Sequence, residues 1–169
     1  MAELVKAEKL TDNEVRIVYL PPAAVASAYC ISDNPREDSF AILKSFIENT
    51  DLFRIKPDMR VFGMGNTVDG SWVYEVLVTI PEGFDVPAPL TKKTMGGGLY
   101  ASYTSANFDE RLLLKDWIDE SADYKFESRE NPGYSLEEHV NPFNIYGLKN
   151  TSRSGVGELV FLWSVKERS

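Results

Sequence analysis

The groups in this sequence that could do chemistry are carboxylates, phenols and a single imidazole. The chain has one His (His139) and one Cys (Cys30), alongside nine Phe, eight Tyr and three Trp. These counts exclude a tetrahedral Cys/His zinc site, a two-His iron site and an internal disulfide. Nucleophilic Ser or Cys catalysis would have to use His139 as its base. We therefore expect chemistry by carboxylates, phenols and hydroxyls between aromatic walls, with no metal and no cofactor.

Glu75 is a carboxylate in an otherwise apolar segment. It lies between Trp72 and Ile80, where β-branched, aromatic and aliphatic residues predict a strand. An ionised group without a partner is costly to remove from water. Glu75 must therefore face solvent on a one-sided sheet, pair with a Lys or Arg, or line a ligand cleft.

The single histidine lies in the segment Leu136-Glu137-Glu138-His139-Val140-Asn141-Pro142. If this segment is extended, alternation places Glu137 and His139 on the same face. A lone His is most often structural or exposed. A Glu two residues away would, however, raise its basicity and make it a proton carrier.

The chain repeats itself. Residues 21–29 resemble residues 95–103, since both read as a turn that enters a short strand ending in Tyr. An Asn-x-x-Glu capping pattern follows each of them, beginning at Asn34 and at Asn107. Two amphipathic segments then match, Leu43–Glu48 and Leu114–Asp119. Each half therefore predicts the order strand, strand, helix, strand, strand.

This repeat predicts the fold class. We expect an α+β domain of duplicated strand-strand-helix-strand-strand units (SHS2-type), with pseudo-twofold symmetry, an antiparallel sheet, helices on one face and a central ligand cleft. We expect residues 1–14 to be an N-terminal extension and residues 15–169 a single domain. The repeat halves span about residues 15–82 and 90–167.

Charge and hydropathy restrict the partners. The formal net charge of −8 disfavours direct binding to DNA, which needs clustered Lys and Arg. The N-terminus has no apolar leader, and no apolar run approaches the roughly 20 residues of a membrane span. We therefore expect a cytoplasmic protein that binds neither DNA nor a membrane. The glycines at 63–65 and 96–98 lack the spacing of a phosphate loop, so we expect them in turns.

These features together resemble the gyrase-inhibitor-like (GyrI-like) family, also described as the effector-binding domain of AraC- and MerR-type regulators. The resemblance covers about residues 15–166. It rests on the segment 15–22 that enters the first strand, on Tyr74-Glu75, on residues 97–101, and on the 136–142 segment, which resembles an aromatic-Glu-x-Tyr-x-Asn/Asp-Pro motif. Regulators of this family carry a DNA-binding region before the domain. With about 14 residues ahead of Val15, we expect a stand-alone member.

The resemblance implies a function. Such domains bind lipophilic, frequently cationic compounds between their halves, with a Glu at the bottom of the cleft, which Glu137 matches. Our first hypothesis is a small-molecule-binding protein for drug sensing or sequestration, with Glu137 as counter-charge and Glu75 as a second acid. The candidate aromatic walls are Trp72, Tyr103, Tyr134 and Trp163.

Two alternatives come with the same resemblance. Some stand-alone members are hydrolases that open strained cyclopropane rings. Here Glu137 or Glu75 would be the general base, and a Tyr hydroxyl or His139 would protonate the leaving group. The founding members inhibit DNA gyrase, so the second alternative is an acidic protein-interaction module whose partner is a topoisomerase.

Overall fold

Nine strands, three helices and a 3-10 turn form the part of the chain that the computed structural model describes, namely residues 9–105, 107–129, 135–140, 142–143 and 159–169. The strands are β1 (Arg16–Leu20), β2 (Ala23–Ala28), β3 (Val61–Val68), β4 (Ser71–Thr79), β5 (Thr91–Met95), β6 (Gly98–Ser105), β7 (Tyr124–Phe126), β8 (Ser135–His139) and β9 (Leu159–Glu167). The helices are α1 (Pro35–Asn49), α2 (Leu52–Ile55) and α3 (Arg111–Glu120), and the 3-10 turn covers Phe108–Glu110.

The strand order shows the duplication. The antiparallel sheet runs β1-β6-β9-β8-β3-β4-β2-β5, and β7 pairs with β9 outside this path. Reading the order backwards exchanges β1 with β5, β2 with β6, β3 with β8 and β4 with β9. A pseudo-twofold axis therefore passes between β3 and β8, and each half supplies its first strand to the other half. The predicted α+β class with duplicated units is confirmed.

The capping pattern of the sequence predicts where α1 begins, and in the second half it precedes a 3-10 turn that leads into α3. Pro35 takes the first helical position of α1 after Asn34, although the Asn34 side chain makes no capping hydrogen bond. In the second half, the Asn107 side chain accepts from the Asp109 amide at 3.1 Å and caps the 3-10 turn, and α3 follows at Arg111. α3 is shorter than α1, and the 3-10 turn of the second half occupies the place of a first helical turn.

Strand register shows that both helices cover the same face of the sheet. Gly63 pairs with Val76 on one side and with Glu137 on the other, and Glu137 in turn pairs with Phe161. Val76 belongs to the apolar cluster under α1, and Phe161 to the cluster under α3. We call this side of the sheet the helix face, and the opposite side the far face.

The far face carries a third apolar cluster that joins the halves. Phe62 and Leu77 come from the first half, and Tyr100, Leu136 and Leu162 from the second, all with 1% or less exposure. Burying side chains of this size contributes about 1.5–3 kcal/mol each. The seam between the halves is therefore closed by apolar packing on this side.

The expectation that the glycines at 63–65 form a turn is wrong. Gly63 and Gly65 lie inside β3, where they face aromatic residues of β4. A Cβ atom at Gly63 would overlap the Tyr74 hydroxyl, and one at Gly65 would lie 3.1 Å from Trp72 Nε1. These glycines leave room for large side chains on the neighbouring strand. Gly97, with φ +74°, does lie in the connection between β5 and β6.

Candidate functional site

A cavity of about 890 Å³ brings together residues of both halves. Four of the site residues predicted from the sequence line it, namely Trp72, Glu75, Glu137 and Trp163. The two candidate carboxylates therefore share one cavity.

Three predicted residues stand apart from this lining. His139 does not line the cavity, but it is hydrogen-bonded to Tyr74, which does. Tyr103 lies elsewhere, donating its hydroxyl to Glu110 Oε2 at 3.0 Å. Burial and the neighbouring Glu110 raise the pKa of Tyr103 to about 12. Tyr134 falls outside the described residues.

A hydrogen-bonded chain links Glu137 to His139 through Tyr74. The Tyr74 hydroxyl donates to Glu137 Oε2 and lies 2.7 Å from His139 Nε2. All three side chains are buried, and the Phe40 ring packs edge-on against the imidazole at 4.9 Å. Gly63 gives the Tyr74 hydroxyl the space to reach both partners. Three buried polar groups are thus joined in one hydrogen-bonded chain, and the Arg36 guanidinium lies over the Tyr74 ring at 5.1 Å.

The pKa values in this chain are set mainly by burial. Burial raises the pKa of Glu137, while the Tyr74 hydrogen bond and the charges of Arg36 and Arg111 oppose that rise. Burial, followed by the charge and hydrogen bond of Glu137, raises the pKa of Tyr74. Burial and the charge of Arg36 lower the pKa of His139 to about 3. At neutral pH His139 and Tyr74 are therefore uncharged. Glu137 is the group of this chain whose ionisation depends on the balance between burial and its neighbours.

These charge states fix the direction of the hydrogen bonds. When Glu137 is ionised it only accepts, so Tyr74 donates to it. The Tyr74 oxygen then accepts from His139, which requires the tautomer with its proton on Nε2. An uncharged imidazole thus orients the hydroxyl that holds the carboxylate.

Glu75 forms a second and different cluster. Its Oε1 accepts hydrogen bonds from Ser27 Oγ and from Lys93 Nζ, both at 2.5 Å. Glu75 is 2% exposed, so the alternative in which it faces solvent is wrong. It both pairs with a Lys and lines the cavity, where Lys93 also lies.

The two clusters occupy opposite faces of the sheet. Tyr74 belongs to the helix face, and its neighbour Glu75 points to the far face, where it pairs in register with Met64. The described pairing of β3 with β8 stops at Gly63 and Glu137, and Met64 and the two residues after it line the cavity. The cavity therefore reaches both faces at the point where the sheet divides.

The mouth of the cavity is apolar and exposed. Trp72 is 56% exposed, Leu112 52% and Phe108 40%, and all three line the cavity. Trp72 lies 6.2 Å from Tyr74, centroid to centroid. Flat apolar surfaces therefore lead from solvent to the buried carboxylates.

Basic side chains also line the cavity, which sequence reasoning missed. Lys93, Arg111 and Arg129 all contribute. Arg129 lies over the Tyr100 ring at 4.8 Å and pairs with Glu127 at 2.6 Å. Its Nη1 is buried and has no hydrogen-bond partner among the described residues.

Tyr74, Lys93 and Arg111 are the main residues of the site that the sequence interpretation did not select. Tyr74 had a signal, because it adjoins Glu75 and faces a glycine across the strand pair. Lys93 and Arg111 had none, since one lies on an edge strand and the other in a helix of mixed charge.

Two kinds of feature are absent from the described ranges. No group of three His, Cys, Asp or Glu side chains in them is placed to hold a metal ion. None of their helices is both long enough and apolar enough to cross a membrane.

Comparisons with known proteins place the fold. The sequence matches no family profile and no curated protein. The C-terminal domain of EcmrR matches with a TM-score of 0.62 at 11% identity, covering 91% of this chain and 98% of that one. EcmrR in a DNA complex matches with a TM-score of 0.61 at 12% identity. The match covers 91% of this chain but only 57% of the EcmrR chain.

A third structure is described as a hydrolase from Listeria innocua. It matches with a TM-score of 0.61 at 6% identity, covering 95% of this chain and 94% of that one. At these identities the likeness shows a shared fold.

Proposed function

We propose that this protein binds lipophilic, aromatic and cationic small molecules in the cavity, for drug sensing or sequestration in the cytoplasm. One observation carries the proposal. Glu137 is a buried carboxylate on the cavity wall, and its direct hydrogen-bond donor is the uncharged hydroxyl of Tyr74. The charges of Arg36 and Arg111 act on Glu137, but no Lys or Arg nitrogen of the described residues lies within 4.0 Å of it. A cation bound beside Glu137 would therefore supply the close counter-charge.

The surrounding walls support this choice of ligand. Trp72 and Trp163 offer indole faces, and cation–π contacts contribute about 0.5–2 kcal/mol each. A cavity of about 890 Å³ lies within the usual range for small-molecule sites. Flat aromatic cations therefore match both the charge and the shape of the site.

The test compares ethidium with uncharged phenanthridine, which has the same ring core. Both are titrated by quenching of Trp fluorescence. We expect Glu137→Gln to weaken ethidium about tenfold, a loss of about 1.4 kcal/mol, and to leave phenanthridine nearly unchanged. Glu48→Gln, an exposed substitution on α1, is the control. Equal weakening of both ligands would overturn the counter-charge role.

The pH dependence gives an independent check. Because burial raises the pKa of Glu137, the carboxylate becomes charged only above its ordinary range. Affinity for ethidium should therefore rise as the pH rises through this pKa. Phenanthridine is compared only above pH 6, where its own ring nitrogen is uncharged.

Hydrolysis of strained electrophiles is the second candidate function. The Glu137–Tyr74–His139 chain favours it, because it joins a base to a proton donor inside an aromatic cavity. Glu137 would take a proton from water as the water oxygen bonds to a cyclopropane carbon. The breaking C–C bond would leave its electrons on a conjugated carbonyl, which Tyr74 would protonate. The proton that Glu137 took from water would then pass to the Tyr74 oxygen through their hydrogen bond, which restores both side chains. Such transfers typically contribute 10²–10⁴-fold.

Incubation with a cyclopropane-bearing alkylator and mass spectrometry tests this second function. The expected product carries one added water, and Tyr74→Phe should slow its formation about a hundredfold. Recovery of the intact parent compound from the wild-type protein would exclude this reaction for that class. Loss of ethidium binding without loss of turnover would separate the two functions.

A further inference from the structure

Within the described residues, one acid and one base that line the cavity lack a close, buried ion-pair partner. Of the acids, Glu75 has Lys93 Nζ at 2.5 Å, whereas no Lys or Arg nitrogen among the described residues lies within 4.0 Å of Glu137. Of the bases, Lys93 has that same partner, and Arg129 has Glu127 at 2.6 Å. The internal pairing thus gives one acid and two bases a close ion-pair partner, although the buried Nη1 of Arg129 has no hydrogen-bond acceptor among the described residues.

Arg111 is the base left over. Its nearest carboxylate among the described residues is Asp109 at 4.0 Å, and the Asp109 side chain is 88% exposed. Ion pairs that are this long and this exposed contribute little, because water screens them. Arg111 therefore keeps most of its positive charge available to the cavity.

The structure also fixes the orientation of Arg111. Its guanidinium carbon lies 4.0 Å from the centre of the Phe108 ring, and Nη1 donates to the Phe108 carbonyl at 3.1 Å. Among the described residues, Nε and Nη2 have no hydrogen-bond acceptor. A guanidinium held in one plane with free donors is suited to a carboxylate, which it can bind through two oxygens.

Arg111 and Glu137 lie apart on the same wall. No nitrogen–oxygen distance of 4.0 Å or less joins them, although the charge of Arg111 acts on Glu137. Arg111 is at the apolar mouth, between Phe108 and Leu112, while Glu137 is buried beside Tyr74. Among the described residues, the cavity thus has a buried negative group and a positive group at its mouth that lack a close ion-pair partner.

We propose that the cavity selects amphoteric aromatic ligands, which place a cationic group at Glu137 and a carboxylate at Arg111. This inference rests on the proposed function, because it assumes that the ligand occupies this cavity. A lipophilic cation without a carboxylate leaves Arg111 unmatched and is repelled by it. Arg111 is accordingly a specificity-determining residue, separate from the counter-charge that Glu137 supplies.

Rhodamine B and its ethyl ester test the proposal by fluorescence anisotropy. Both dyes carry the same aromatic cation, and only rhodamine B has a free carboxylate. The wild-type protein should bind rhodamine B about tenfold more tightly than the ester. Arg111→Gln should abolish this preference, mainly by weakening rhodamine B.

Matched variants separate the two claims. Lys115→Gln removes a cation from the same helix outside the cavity and should preserve the preference. Glu137→Gln should weaken both dyes by a similar factor. An Arg111→Gln protein that keeps the tenfold preference overturns the amphoteric proposal alone. An unchanged affinity of both dyes in Glu137→Gln overturns the counter-charge role and with it the placement of the cationic group at Glu137. No saturable binding to the wild type overturns every claim about the cavity.

Discussion

Tyr74 and Glu75 are neighbours on β4, yet they belong to hydrogen-bonded clusters on opposite faces of the sheet. On the far face, Glu75 meets a Lys and a Ser, so its charge is matched inside the protein. On the helix face, Glu137 meets Tyr74, and His139 stands behind that hydroxyl. The first cluster is electrostatically complete, and the second is not.

The difference shows how one cavity can hold two carboxylates with different tasks. A matched carboxylate stabilises the wall, and its replacement should be felt mainly in folding. An unmatched carboxylate carries a cost of burial that a ligand can offset. The following predictions test this contrast, from the largest expected effect to the smallest.

Acid should destabilise the helix-face cluster through His139. Its pKa is about 3 in the folded protein against an ordinary 6.5, so the folded state binds fewer protons between these values. The contribution of the neutral imidazole to the free energy of unfolding is fully present above pH 6.5. It is lost as the pH falls toward 3, by up to about 4 kcal/mol.

Urea unfolding of the wild type and of His139→Phe at pH 7, 5 and 4 measures this loss. The variant should lose less stability than the wild type over this range. Parallel pH dependence of the two proteins would show that His139 is charged or exposed in the folded state.

Gly63→Ala should destabilise the protein by about 3 kcal/mol. The added methyl group overlaps the Tyr74 hydroxyl, and overpacking of a buried site typically costs about 1–3 kcal/mol or somewhat more. Thermal and urea unfolding give the value. Gly65→Ala is the control, because its neighbour Trp72 is exposed and can shift, and a similar loss in both variants would contradict the packing argument.

Lys93→Met should destabilise the far-face cluster by about 2 kcal/mol, because it leaves Glu75 buried without its cation. The expected loss is kept modest because Lys93 is 39% exposed and water screens part of the pair. Adding Glu75→Gln should recover much of the loss in a double-mutant cycle. Additive effects would mean that the two side chains do not interact.

Tyr74→Phe should cost about 2 kcal/mol of stability, because it removes the hydrogen bonds to Glu137 and His139 and leaves both side chains buried without that partner. It should also raise the pKa of Glu137 further, because the Tyr74 hydrogen bond lowers it in the wild type. The pH midpoint of ethidium binding should therefore move upward. A midpoint that stays the same or moves downward would show that Tyr74 does not hold the carboxylate.

The repeat and its order of elements could be predicted from the sequence because they depend on local patterns. The Pro35 start of α1 and the apolar spacing of Leu43, Phe46 and Ile47 are readable within a few residues. The duplicated units then follow from the need to cover one sheet. The placement of Gly63 in a strand was missed, because its role depends on Tyr74 across the strand pair.

The site was only partly predictable, for a related reason. Glu75 stands out as an acid within an apolar strand, so the sequence identifies it. Glu137 was selected through the family resemblance and its place two residues from His139. Their partners Lys93 and Tyr74 are determined by register between strands, which a single sequence does not reveal. Arg111 is an ordinary helix residue until Phe108 and the cavity are seen beside it.

The most direct test of the contrast is carbon NMR of the glutamate side-chain carboxyls, followed through a pH titration without and with ethidium. In the free protein the Glu137 signal should titrate above the ordinary range of a glutamate, and ethidium should move that titration to lower pH. The Glu75 signal should change little when ethidium binds, because Lys93 already matches its charge. A Glu137 titration that ethidium leaves unchanged would contradict the account.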